Sequence, residues 1–177
     1  MLRPLIFISF LTVPQLLSAQ ETTSLSVDWQ EAQTAFSQVE NTHKSDVTRF
    51  RSSAPEDLSN TNLPVLLPVF GAKRSSGNFF SSGDTYGSFF TLAGVQASIT
   101  GTIVAMVVED ESAVFEESEE VIIDFSEDGI EGSFFRYGAS YNVRISCDNL
   151  EDDRCTDDKF ISEVISGLEV LGGREIR

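Results

Sequence analysis

The stretch Gly132–Cys147, GSFFRYGASYNVRISC, decides the fold. At alternate positions Phe135, Tyr137, Ala139, Tyr141, Val143, Ile145 and Cys147 are apolar or aromatic, while Arg136, Gly138, Ser140, Asn142, Arg144 and Ser146 lie between them. A period of two is the mark of a strand with one side on a core and the other in water. Thirteen residues is long for one strand, so a bend or bulge is expected near Gly138. On this reading Arg136 and Arg144 share the polar side and are the candidate ligand-facing residues.

Upstream, Phe80–Phe90 (FSSGDTYGSFF) matches Phe125–Phe135 (FSEDGIEGSFF) at an offset of 45, with Phe80, Ser81, Gly87, Ser88, Phe89 and Phe90 each meeting an identical residue. Each copy holds a turn signal, Ser81-Ser82-Gly83-Asp84 in the first and Ser126-Glu127-Asp128-Gly129 in the second. Each is followed by an alternating run. In the first, Val95, Ala97, Ile99, Gly101 and Ile103 alternate with polar residues, and a bulge at Ala93-Gly94 is expected to restore the facing. The chain therefore carries two related β-hairpins. Ile103–Val108 is apolar on both sides and predicts a strand covered twice. Leu63–Phe70 is apolar but holds Pro64 and Pro68, so it predicts an edge strand or extended segment.

Helices flank this β-rich region. Asp28 and Glu31 form a capping-box pattern, and Trp29, Ala32, Phe36 and Val39 make one stripe of a helix over about residues 29–40. Phe160, Ile161, Val164, Ile165 and Leu168 make the apolar side of a second helix over about 157–167, with Thr156 as its N-cap and Gly167 at its end. Residues 51–62 read as a linker, and Leu168–Leu171 as a short last strand. The expected fold is α+β: one domain with a mainly antiparallel twisted sheet, two related hairpins, and an N-terminal and a C-terminal helix packed on it. The divisions are a leader at 1–19, a tail, helix and linker at 20–62, and a β-rich core with the C-terminal helix at 63–173; residues 29–173 form the one domain.

The address is written at the start. Arg3, an apolar run from Leu5 to Leu17 and the small residues Ser18-Ala19 make a secretory signal peptide pattern, so the mature chain is expected to be secreted or periplasmic. The run is too short and interrupted to span a bilayer well, and no later segment predicts a membrane span. Losing Arg3 with the leader leaves 11 basic and 28 acidic residues, a formal charge of −17. Such acidity argues against nucleic acid and anionic membranes and allows a cationic partner or divalent ions. Cys147 and Cys155, eight apart in an exported chain, predict a disulfide.

Few chemistries have their residues. His43 is the only histidine and sits in a polar stretch with no nucleophile elbow elsewhere to serve it. Asp124–Ile130 resembles the opening of a calcium loop, yet position twelve is Phe135 instead of glutamate and the flanks read as strands. The calcium candidates are Asp124, Asp128, Glu116, Glu119 and Asp152, in runs that include seven carboxylates between Glu109 and Glu120. No other cofactor is expected. The function these features favour is an exported, acidic, non-catalytic binding or interaction protein, its partner a protein or small ligand. The alternatives are a secreted hydrolase with a carboxylate site and a calcium-stabilised structural module.

Overall fold

A computed structural model describes residues 22–68, 72–73, 79–106, 120–149 and 151–176. In chain order the elements are β1 (Thr22–Ser24), α1 (Trp29–Ser53), α2 (Pro55–Asn60), β2 (Val65–Pro68), β3 (Ala72–Lys73), β4 (Phe79–Ser81), β5 (Thr85–Leu92), β6 (Val95–Thr102), β7 (Val104–Met106), β8 (Ile122–Ser126), β9 (Gly129–Arg136), β10 (Ala139–Ser146), α3 (Asp153–Thr156), α4 (Lys159–Ser166) and β11 (Leu168–Gly172). They form a single α+β domain. Its main sheet is antiparallel in the order β3-β5-β6-β10-β9-β8, and β4 also pairs with β5. Two small ribbons, β1–β7 and β2–β11, complete the β structure.

The long alternating stretch is a hairpin. Tyr137 (φ 54°) and Gly138 (φ 71°) form a two-residue turn between β9 and β10. Positive φ at both central residues is the primed turn whose twist suits a hairpin. A residue other than glycine at position 138 would set its Cβ 1.9 Å from the Ser26 carbonyl oxygen. The turn resets the alternation. Tyr141, Val143 and Ile145 are buried, as expected, but on the other arm Phe134 faces the core and Phe135 faces outward. Ala93 (φ 50°) and Gly94 (φ 90°) build the matching turn between β5 and β6, where a bulge was expected.

Both expected hairpins, β4–β5 and β8–β9, are present. Each continues into a third strand, so the sheet is two meanders joined along β6 and β10. Their registers coincide at a shift of 44: Phe79↔Ser88 corresponds to Ile123↔Gly132, and Leu92↔Val95 to Arg136↔Ala139. Ile99 and Val143, also 44 apart, are paired at the centre, which sets an approximate twofold axis normal to the sheet there. The sequence likeness runs at 45. A slip of one residue exchanges the faces of a strand, so identical residues point opposite ways: Phe89 is 52% exposed and its counterpart Phe134 3%.

One side of the sheet holds the core. Tyr86, Phe90, Ile99, Ile130, Phe134, Tyr141, Val143 and Ile145 bury their side chains there with Leu63, Leu66 and Leu67. Pro64 precedes and Pro68 ends β2, which is fully buried and paired with β11. Tyr86 fastens it: its Oη accepts from the Leu66 N–H and donates to the Leu66 carbonyl, both at 3.0 Å. Tyr141 Oη donates to the Pro64 carbonyl at 2.9 Å. Burial pushes both phenols above their ordinary pKa, which keeps them neutral donors.

Helix α4 covers β9 and β10, with Ile161 and Ile165 over Gly132. Helix α1 starts at Asp28, whose carboxylate accepts from the Glu31 N–H at 2.9 Å, and packs against β11. It runs on to Ser53 because Val47 and Phe50 resume the apolar stripe beyond a kink at His43 (φ −131°, ψ 35°). Thr42 Oγ1 lies 3.0 Å from the Gln38 carbonyl and 3.2 Å from the Val39 carbonyl, a side-chain competition that bends helices. The segment read as a linker holds α2, started by Pro55 in its first turn. At the other end Asp152 caps α3, and α4 begins after Asp158 instead of at Thr156. Val104 is exposed, so β7 is not covered on both sides as expected; residues 107 and 108 lie outside the described residues.

Candidate functional site

The outward face of the main sheet is read row by row from the register. One row runs Thr85, Thr102, Ser140, Phe135; the next runs Phe80, Gly87, Thr100, Asn142, Ser133, Ile122; a third runs Phe89, Ser98, Arg144, Glu131, Asp124. The first two rows enclose a depression of about 430 Å³, edged by Phe80, Thr85, Thr100, Thr102, Ser140 and Asn142. No charged side chain lines it. The inward-pointing Tyr86, Gly101 and Tyr141 contribute its floor.

Gly87 shapes one wall. A Cβ there would sit 2.2 Å from Cζ of Phe80, so the missing side chain lets the ring lie down on the strand. The ring is 53% exposed and stacks with Phe89, centroids 6.3 Å apart at 27°. Beside it the Thr100 and Ser140 hydroxyls have no hydrogen-bond partner among the described residues, and Asn142 donates its amide to Ser133 Oγ at 3.1 Å. The sequence signal for this site was the Phe80–Gly87 pair, which was read only as part of a hairpin.

The two candidate arginines do not share a face. The turn at Tyr137-Gly138 sends Arg136 to the core side, where its guanidinium lies 5.0 Å over Phe134 and donates to the carbonyls of Leu168 (3.3 Å) and Ile165 (3.5 Å). A cation there meets the negative end of α4. Arg144 does face outward. It donates to Glu131 Oε1 at 2.8 Å and to the Asp128 carboxylate. The Ser126 hydroxyl and Arg144 together hold Asp128 below the usual carboxylate range.

The same hairpin places two of the calcium candidates. Asp124 lies opposite Glu131 on adjacent strands, and Asp128 is engaged by Arg144. Asp152 sits elsewhere, paired with Arg154, whose hydrogen bonds and charge bring its carboxyl down to about 2. Glu116 and Glu119 lie outside the described residues. Among the described residues no group of three or more histidine, cysteine, aspartate or glutamate side chains is placed to hold a metal ion. His43 lies at the kink of α1, half-buried.

Cys147 and Cys155 form a disulfide with Cα atoms 6.4 Å apart, tying the end of β10 to α3. Such a bond is compatible with an oxidising compartment outside the cytoplasm. No helix among the described residues is long and apolar enough to cross a membrane. Comparison with protein-family models, with curated proteins and with solved structures found no match.

Proposed function

We propose that this chain is an exported, acidic binding domain without catalytic machinery, and that it meets its ligand on the outward face of the main sheet. The observation that carries the reading is the open depression beside Phe80, of the size of small-ligand sites and edged by neutral hydroxyl and amide groups. On the row beside it Glu131, and with it Asp128, is paired with Arg144, so these carboxylates serve as counter-charges rather than as an acid–base pair. The signal-peptide pattern and the disulfide support export. Among the described residues the hydrolase and calcium readings have no comparable geometry behind them.

The test immobilises the mature chain, residues 20–177, beside a Thr100→Arg variant that fills the depression. Both are exposed to extract from the producing cell's envelope and medium. The reading expects a component, identified by mass spectrometry, that the parent retains and the variant loses. Equal retention by both, or none, contradicts it.

A further inference from the structure

We infer that the ligand of this face is an uncharged oligosaccharide laid across the strands, with one sugar stacked on Phe80; this rests on the binding reading above. A pyranose has an apolar face of C–H bonds and a rim of hydroxyls that both donate and accept. The depression offers the matching pair: an exposed aromatic ring lying flat over Gly87, and two rows of polar groups, Thr100 with Asn142 and Thr102 with Ser140, at its side. The Thr100 and Ser140 hydroxyls are free to exchange water for sugar hydroxyls, and Asn142, having spent its amide on Ser133, keeps an acceptor oxygen.

Charge selects against the other classes. In a chain of net charge −16 the depression carries no charged lining, so it neither attracts a cation nor offers one to a phosphate or carboxylate. Arg144, one row away, already holds two carboxylates. The exposed lining is mostly apolar, which suits the C–H face of a sugar, while a wholly apolar occupant would strip water from the free Thr100 and Ser140 hydroxyls without replacing it. The spacing also fits. Adjacent strands are about 4.8 Å apart, close to the advance per sugar of an extended β-linked glycan, so a sugar on the Phe80 ring, which covers Gly87, is followed by sugars over Thr100 and Asn142 on the next two strands.

The experiment titrates the ¹⁵N-labelled mature chain with cellohexaose, xylohexaose, chitohexaose and maltohexaose, each to about 5 mM, where a millimolar site is filled. The inference expects at least one to shift amide resonances centred on Gly87, Thr100, Thr102, Ser140 and Asn142. Phe80→Ala should weaken that binding about tenfold or more, the loss of one stacked ring. Phe125→Ala, another exposed phenylalanine away from the depression, should leave it unchanged. Circular dichroism confirms that both variants fold. No shift with any of the four, shifts centred elsewhere, or undiminished binding by Phe80→Ala overturns the inference. If the sugars fail while the extract experiment still finds a component that Thr100→Arg loses, the sugar assignment falls and the binding face stands.

Discussion

The two meanders have one register and two uses for the same four letters. In Gly87-Ser88-Phe89-Phe90 the glycine faces outward and makes room for the Phe80 ring; in Gly132-Ser133-Phe134-Phe135 it faces inward and makes room for Ile161 and Ile165 of α4. The structural correspondence at 44 and the sequence correspondence at 45 differ by one residue, and one residue exchanges the faces. A glycine in a strand marks a close approach on whichever side its missing Cβ would point. The first meander spends that approach on an open surface, the second on the core.

The strongest way to break the comparison is to fill both glycines. Gly132→Val would place its first carbon 2.5 Å from Ile165 Cδ1 in a packed interior. A loss of about 3 kcal/mol is expected from such overpacking, read as a fall of about 6–12 °C in Tm. Next comes the staple at the end of the second meander. Replacing Cys147 and Cys155 together by serine should cost about 2.5 kcal/mol through the loop entropy released to the unfolded chain, measured by urea unfolding.

The first meander has its own tie to the core, through Tyr86. Tyr86→Phe leaves the buried Leu66 N–H and carbonyl without that partner and should cost about 2 kcal/mol with little change in m-value. Gly87→Val, the counterpart of the first substitution, should change stability by less than about 1 kcal/mol, because the exposed Phe80 ring can swing away and valine suits a strand. Its effect belongs to the face instead: displacing the ring should weaken oligosaccharide binding in the same titration. Equal stability losses at Gly87 and Gly132 would erase the distinction between the faces.

The smallest effect is electrostatic and is lost in acid. Asp152 is held near 2 by Arg154, below its ordinary value of 3.8, so its ionised form favours the folded state. That contribution is present above about pH 4 and is lost as pH falls toward 2. The Tm gap between the parent and Asp152→Asn should therefore close between pH 5 and pH 2; a gap that persists at pH 2 means the side chain acts through packing.

The sidedness of β10 was legible because Tyr141, Val143 and Ile145 alternate with Asn142, Arg144 and Ser146 without interruption. The turn before it was not. Tyr137 continues the apolar alternation, and tyrosine is a rare choice at positive φ. Phe134 and Phe135 are adjacent, so either can be taken as the inward one, and the choice carried Arg136 to the wrong face. In α1 the polar run Asn41–Ser45 hid the continuation through Val47 and Phe50, which resumes the stripe only if a kink is allowed. The disulfide followed from two cysteines and an export pattern alone. The depression was hidden for a different reason: its parts, Phe80, Thr100 and Asn142, come from three strands and meet only through register, which no single stretch displays.

One side of the main sheet is closed by the core and the other is open. Solvent paramagnetic relaxation with a neutral gadolinium chelate, read at the methyl groups, measures this directly. The methyls of Thr100 and Thr102 should relax strongly, and those of Ile99 on the same strand and of Val143 and Ile145 on its neighbour β10 weakly. Relaxation of Val143 and Ile145 as strong as that of Thr100 would contradict it.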